Sequence, residues 1–204
     1  YYAPDPSSQA ACTIGGNAAE NSGGPHCLKY GVTTNHILGL EMVLPDGEIV
    51  ELGGEVEDCP GLDLRGFAIG SEGMLGAITK ITVRLLPLPE GVKTMVAVFN
   101  SMELACDAVS DIIADGLVPA ALEMMDRHTI QVVEKTVGSG FPKAASAVLL
   151  IELDGPVPGM EEWIRLIETH CRKNDATQFR VAESEEERMR LWAGRKKAFG
   201  AFGQ

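Results

Sequence analysis

The segment CTIGGNAAENSGGPHCLKYG, residues 12–31, constrains the fold more than any other part of the sequence. It has few large apolar side chains, so it is poorly suited to fill a hydrophobic core. Glycines allow positive φ angles and have no Cβ to keep a ligand at a distance. A backbone of this kind can wrap phosphate groups through its amides, although a long surface loop can have the same composition.

A second glycine cluster, GSEGMLG at residues 70–76, precedes a predicted strand. Two such clusters in a short stretch favour a nucleotide or flavin cradle over an ordinary loop. The cradle is not a Rossmann site, because the G-x-G-x-x-G spacing is missing and the second cluster lacks a strand before it and a helix after it. A Walker loop is also excluded, because no Gly-Lys-Ser/Thr sequence occurs.

Composition limits the partners and the compartment. The chain of 204 residues is 45% apolar and has a net charge of −12, which argues against nucleic acid or an anionic membrane as a partner. No apolar run reaches the length of a membrane span, and no signal peptide is recognisable. The odd number of cysteines and the lack of a C-x-x-C pair predict neither disulfides nor a metal cluster and favour the cytoplasm. The cysteines are Cys12, Cys27, Cys59, Cys106 and Cys171.

The composition changes near LLPLPEGVK, residues 85–93, and this change divides the chain into two predicted domains, 1–88 and 89–204. In the first domain, LGLEMVLPDGEIVEL predicts a hairpin with strands at 39–44 and 48–52. Pro45 and Gly47 suit the turn between them. GAITKITVRLLP predicts a further strand.

The second domain has a regular pattern of strands and helices. Strands are predicted at 94–99, 119–125, 146–153 and within ATQFRVA, with a short helix at 126–136. We expect Asn100 and Glu103 to open the first helix, Gly116 to end it, and Ser184 and Glu187 to open the last one. This order is the split βαβ arrangement of ferredoxin-like folds. The predicted fold class is α+β, with the helices on one face of the sheet.

Three segments together resemble one family. CTIGGNAAENSGGPHCLKYG, LGLEMVLPDGEIVELGG and GSEGMLGAITKITVRLLPLPE are similar to the second half of the FAD-binding domain of vanillyl-alcohol oxidase/PCMH-type flavoproteins, in the glycolate oxidase and D-lactate dehydrogenase branch. The resemblance implies that residues from 89 onward form the family's cap domain. It also implies FAD contacts at Ile14, Gly15, Gly16, Asn17, Asn21, Gly23, Gly24, Tyr30, Gly31, Gly70, Ser71, Glu72, Gly73, Gly76 and Ile78.

Arg195 is the candidate substrate-binding residue. It follows Trp192 by three positions and precedes Phe199 and Phe202 by four and seven, so we expect it to share their apolar face. Its planar guanidinium can bind a carboxylate with two hydrogen bonds. Alternatively, its stem covers Trp192 and its head reaches a surface glutamate. LWAGRKKAF resembles the family segment in which an arginine holds the substrate carboxylate, and this favours the first interpretation.

The resemblance implies FAD-dependent oxidation of a small 2-hydroxy acid, of glycolate or D-lactate type, with electrons passed to an acceptor such as an iron–sulfur subunit. The family's upstream phosphate loop and its late histidine-rich segment, which holds a divalent metal in many members, have no counterpart here. We therefore expect an internal fragment that alone binds FAD poorly, with the catalytic base and any metal outside it. Two alternatives are a non-catalytic ferredoxin-like binding module and an FAD oxidase acting on an aryl alcohol or an alkyl-dihydroxyacetone-phosphate.

Overall fold

The computed structural model describes residues 1–57 and 60–203. Cys59 and Gln204, the latter being the end of the second predicted domain, lie outside the described residues. The chain forms two compact units, Tyr1–Leu88 and Pro89–Gln204. Over the described residues, no helix combines the length and apolar character needed to cross a bilayer.

The first unit is built around a three-stranded antiparallel sheet of order β2-β1-β3. The predicted hairpin is confirmed, since the N–H of Gly47 donates to the carbonyl of Leu44 at 2.9 Å and closes the turn at a φ of +89°. Buried apolar side chains from α1, β1 and α3 form the core of the unit. Its elements are α1 (Ile14–Glu20), α2 (Cys27–Tyr30), a 3-10 turn (Thr33–His36), β1 (Ile37–Val43), β2 (Ile49–Gly53), α3 (Leu64–Ala68) and β3 (Ala77–Val83).

The three short α-helices of this unit were not predicted from the sequence. Helix α1 lies inside the first glycine segment, and its N-cap residue Thr13 accepts a hydrogen bond from the N–H of Gly16 at 3.0 Å. Helix α3 is capped in the same way by Asp63, which accepts from the N–H of Gly66 at 2.9 Å. Glycine weakens a helix by about 1 kcal/mol relative to alanine, so the glycines in both segments hid the helical pattern.

The second unit contains a four-stranded sheet of order β5-β6-β4-β7, in which all neighbouring strands are antiparallel. With its alternating strands and helices, this sheet confirms the predicted α+β, ferredoxin-like topology. The elements are β4 (Gly91–Phe99), α4 (Met102–Ala114), β5 (Ala121–Asp126), α5 (Arg127–Thr136), β6 (Ala147–Gly155), α6 (Met160–Lys173), β7 (Gln178–Val181) and α7 (Glu185–Ala201).

Helices cover both faces of this sheet, so the prediction of helices on one face is wrong. Buried residues of α4 and α6 pack with one set of alternating side chains of β4 and β6. Those of α5 and α7 pack with the other set. Central strands covered on both sides have nearly continuous apolar sequences instead of alternating ones, and this explains the runs in residues 95–99 and 147–151.

The helix caps of the second unit agree with the sequence in one case and not in another. Ser184 caps α7, and its hydroxyl accepts from the N–H of Glu187 at 3.2 Å, as predicted. The predicted cap at Asn100 is wrong. Ser101 takes that place and accepts from the N–H of Leu104 at 3.2 Å. Both residues are good N-cap formers, and the extended backbone of Ser101 decides between them.

Candidate functional site

The structure brings the two glycine segments of the first unit into direct contact. The N–H groups of Gly70 and Glu72 donate to the carbonyls of Ala18 and Ala19, each at 2.9 Å. These carbonyls belong to the last turn of α1, which has no further helical N–H groups to bind them. The second segment therefore caps the helix formed by the first, and both belong to one surface.

Asn21 lies at the junction of the two segments. It ends α1 in the left-handed conformation, with a φ of 49°, which asparagine tolerates better than most residues. Its Oδ1 accepts from the N–H of Thr34 at 2.9 Å. A Cβ placed on Gly70 would lie 3.2 Å from the Cβ of Asn21. The carboxamide therefore joins the first segment to the 3-10 turn after it, and the glycine at position 70 allows the second segment to approach Asn21 closely.

Several of the candidate glycines are required by the fold itself. An added Cβ would lie 2.8 Å from the Sγ of Cys27 at Gly23, and 2.3 Å from the carbonyl oxygen of Asp5 at Gly24. Gly31, Gly73 and Gly76 have positive φ angles, which strain a residue with a Cβ. These five positions would be glycine even if no ligand were bound nearby.

Gly15 and Asn17, in contrast, have features that the fold does not explain. Gly15 lies in α1 without a positive φ, and a Cβ there would meet only the Oγ1 of Thr13, at 3.9 Å. Asn17 is buried, yet its Oδ1 has no hydrogen-bond partner among the described residues. Buried polar atoms are nearly always paired. An open glycine and an orphaned carboxamide on one short helix fit a polar cofactor lying against it.

The remaining candidates of the first unit are distributed around this helix and the second glycine segment. Ile14, at the start of α1, is exposed over 46% of its surface, which is unusual for isoleucine. Tyr30 uses its carbonyl to accept a hydrogen bond of 2.8 Å from the Nε2 of His36. Ser71 and Glu72 belong to the second glycine segment, and Ile78 belongs to β3. Gly16 is the second glycine of α1.

Two of the histidines are paired with carboxylates. His26, within the first glycine segment, is hydrogen-bonded through Nδ1 to Asp5 at 2.8 Å. His170, in the second unit, is paired with Asp115 at 3.1 Å. In the part of the chain that the structure describes, no three side chains of His, Cys, Asp or Glu lie close enough together to hold an ion.

Arg195, in the second unit, is held by a residue that the sequence did not single out. Its Nε and Nη2 both lie 2.6 Å from the Oε2 of Glu123, which is on β5. The predicted apolar face is only partly correct. Trp192 is buried, but Phe199 is 94% exposed. The packed face of α7 combines Leu191 and Trp192 with small residues such as Gly194 and Ala198, which let the helix approach its neighbours closely.

A second carboxylate anchors α7 one turn before Arg195. Glu152 on β6 is only 3% exposed, and its Oε2 accepts from the Nε1 of Trp192 and the Oγ1 of Thr94, each at 2.5 Å. Arg188 reaches the same oxygen at 3.2 Å. The side chain of Glu185 raises the pKa of Arg188, so the arginine stays charged. A glutamate in the apolar run AVLLIEL was the signal that could have revealed this cluster.

Comparison with known proteins assigns the family. Residues 88–204 match the family described as FAD linked oxidases, C-terminal domain. This chain belongs to the FAD-linked oxidases. Residues 1–53 match a second description, FAD binding domain. Both matches confirm the resemblance to FAD-linked flavoproteins seen in the sequence.

The relatives of this FAD-linked oxidase chain have names that describe hydroxy-acid oxidation. It is 50% identical over 204 residues to the glycolate oxidase subunit GlcD of Escherichia coli K12 and 45% identical over 205 residues to that of Bacillus subtilis 168. It is 37% identical over 161 residues, 76% of the chain, to a D-lactate dehydrogenase of Anaerostipes hadrus. Both GlcD matches include all of this chain but only 41% and 44% of the relatives, and the third covers 34% of its relative.

A solved structure confirms the fold. An alkyldihydroxyacetonephosphate synthase matches 98% of this FAD-linked oxidase chain with a TM-score of 0.77 and 22% sequence identity. The match covers 38% of that protein. At this level of identity the similarity concerns the fold alone.

Proposed function

We propose that the protein containing this chain is an FAD-dependent enzyme that oxidises a small 2-hydroxy acid, of glycolate or D-lactate type, to the 2-oxo acid. The chemistry that FAD supplies when bound is acceptance of the hydride from the α-carbon. This chain contributes residues that hold the cofactor and the substrate. The single observation that carries the proposal is the joining of the two glycine segments through the Gly70 and Glu72 amides, in a chain whose relatives are glycolate oxidase subunits.

The first unit corresponds in this proposal to the second half of the FAD-binding domain, residues 1–88. The fifteen residues named above on α1, the loop after it, the second glycine segment and β3 would line the flavin. The orphaned Oδ1 of Asn17 supports this assignment, because it can accept a hydrogen bond from a bound group. The open position at Gly15 supports it as well, since among the described side chains a Cβ there would meet only the Oγ1 of Thr13, at 3.9 Å, and could contact a ligand.

The second unit, residues 89–204, corresponds to the family's cap domain, and Arg195 would bind the substrate carboxylate there. Its guanidinium uses Nε and Nη2 for Glu123, and Nη1 has no partner among the described residues. A guanidinium can bind a carboxylate with two parallel hydrogen bonds. Arg195 can therefore orient a 2-hydroxy acid while it stays attached to the sheet.

We also propose that electrons leave the enzyme through an acceptor protein, such as an iron–sulfur subunit, and that the enzyme works in the cytoplasm. We assign no catalytic base to the described residues. The proton of the substrate hydroxyl would pass to a group elsewhere in the protein, where a divalent metal site would also lie.

The test is Arg195→Met in the flavin-loaded protein, with Arg165→Met as the matched control. Arg165 is an exposed arginine of the same unit, paired only with Glu162 on its own helix among the described contacts between ionised side chains. We expect Arg195→Met to weaken the transition-state binding of glycolate or D-lactate by about 2–5 kcal/mol, as measured by kcat/KM. The reason is that the charge pair between the guanidinium and the substrate carboxylate is lost. The control should be unaffected.

The outcomes separate the proposal from its alternatives. If an alcohol without a carboxylate is oxidised equally well by the parent protein and the Arg195 variant, the substrate is of another kind. If the longest available form of the protein is purified without flavin and takes up none on titration, the chain is a binding module, and the enzymatic proposal is wrong.

A further inference from the structure

The contact between Arg195 and Glu123 occupies one defined edge of the guanidinium. Nε–H and one N–H of Nη2 point in the same direction and form the side edge of the group. Both are 2.6 Å from the same oxygen, Oε2 of Glu123. The side chains are 32% and 18% exposed, so the pair lies at the margin of the core, where water competes only in part.

The other edge of the same guanidinium remains available. The end edge consists of one N–H of Nη1 and the second N–H of Nη2, and among the described residues no acceptor contacts Nη1. An arginine offers five N–H groups in a rigid plane. When one edge is bound, the direction of the other edge is set as well, and this edge matches the two oxygens of a carboxylate.

Both ends of the contact are held by the fold. Glu123 lies on β5 directly opposite Leu150 of β6, and β5, an edge strand of the sheet, is paired with β6 over its whole length. Arg195 lies on α7, which is attached one turn earlier by the hydrogen bond between Trp192 and Glu152. Neither the helix nor the strand can shift without breaking buried contacts. The guanidinium plane therefore keeps one orientation.

We propose that Glu123 is a positioning residue, which fixes the plane of Arg195 so that its end edge faces a single carboxylate of the ligand. This proposal rests on the proposed function, because it assumes that Arg195 binds that carboxylate. It goes further by assigning a role to the negative charge on β5. By electrostatics alone, a carboxylate next to Arg195 would weaken the binding of an anion. We infer that the fixed orientation of the guanidinium offsets this loss.

Two substitutions separate geometry from charge. Glu123→Asp keeps the negative charge but withdraws the carboxylate by one methylene, so that it no longer reaches both nitrogens. Glu123→Gln keeps an oxygen at nearly the same place but removes the charge. The matched controls are Glu187→Asp and Glu187→Gln, since Glu187 is on α7, is also 18% exposed and is paired with Arg180.

The probe is 2-hydroxy-2-methylpropanoate, which has the carboxylate and the hydroxyl of a 2-hydroxy acid but no hydrogen on the α-carbon. It can bind without being oxidised, so calorimetric titration of the flavin-loaded protein gives its dissociation constant directly. The corresponding amide, 2-hydroxy-2-methylpropanamide, reports binding that does not depend on the carboxylate. Circular dichroism checks that each variant is folded, and Glu123→Ala replaces the aspartate variant if that one does not fold.

We expect Glu123→Asp to raise the dissociation constant of the acid by about tenfold, as small displacements of a positioned group do, and Glu123→Gln to leave it within about threefold. Binding of the amide, and both Glu187 variants, should be unchanged. If Glu123→Asp binds the acid as well as the parent protein, or Glu123→Gln binds it more tightly by a similar factor, the positioning role is refuted. If Arg195→Met itself leaves the dissociation constant unchanged, the proposed carboxylate site is wrong instead.

Discussion

Replacing Glu152 by alanine should destabilise the second unit strongly. Its Oε2 accepts two hydrogen bonds of 2.5 Å from Trp192 and Thr94, and a longer one from Arg188. Arg188 keeps Glu185 as a partner, so the variant leaves two buried neutral donors and a weakened ion pair. Bonds to a charged group contribute about 1.5–3 kcal/mol each, and removal of one partner of a buried pair costs about 3–5 kcal/mol. We expect a loss of about 3–5 kcal/mol in the free energy of unfolding.

Urea unfolding followed by tryptophan fluorescence measures this loss selectively. The two tryptophans of the chain, Trp163 and Trp192, both lie in the second unit, so the signal reports that unit. Glu152→Gln is the matched variant. Its amide oxygen can still accept hydrogen bonds from Trp192 and Thr94. The loss in its free energy of unfolding should therefore be at most half of the loss in the alanine variant. A loss below about 1 kcal/mol in the alanine variant, with an unchanged m-value, would show that the buried carboxylate does not anchor α7.

Three further predictions concern other parts of the chain. Gly15→Ala should leave the free energy of unfolding unchanged or raise it by up to about 1 kcal/mol, because alanine favours helices. The same variant should weaken FAD binding in a fluorescence titration. An unchanged affinity for FAD would show that this residue is not part of the flavin site. Asp126 caps α5, and hydrogen bonds from the side chain and then the backbone of Thr129 lower the pKa of its carboxyl. The stabilisation that this cap provides is therefore fully present above about pH 4, the ordinary pKa of aspartate. It is lost as the pH falls through the lowered pKa. Asp126→Asn should flatten that part of a stability profile measured by urea unfolding, whereas an unaltered profile would assign the acid sensitivity to other carboxylates. Gly194→Ala would place a Cβ 2.3 Å from the Oγ of Ser139 and should lower the free energy of unfolding by about 1–3 kcal/mol through overpacking. If the variant unfolds at the same urea concentration as the parent protein, the segment around Ser139 moves aside without cost.

The sequence predicted the strands of the second unit well because β4 and β6 are buried on both faces. Their apolar runs have few alternatives to a central strand. The same property concealed the position of the helices, since a strand that is apolar on both sides does not show how many layers cover it. Only the register and the packing of α5 and α7 reveal the second layer.

The candidate site could be predicted only in part. The glycine segments are visible as motifs, but the sequence does not separate glycines that the backbone needs, such as Gly24, from an open one such as Gly15. The sequence singles out Arg195 as a candidate from its segment, whereas its partner Glu123 lies on a strand far away in the sequence. The contact joins residues 72 positions apart, so no local pattern encodes it.

The junction between α1 and the second glycine segment has a consequence for how the first unit acquires its shape. A helix of seven residues with two glycines is too short to persist by itself in water, and the acceptors at its end are satisfied by Gly70 and Glu72. A peptide containing residues 12–31 alone should therefore be largely unstructured. Each segment depends on the other for its conformation, so transplanting the surface to another scaffold would require both of them together.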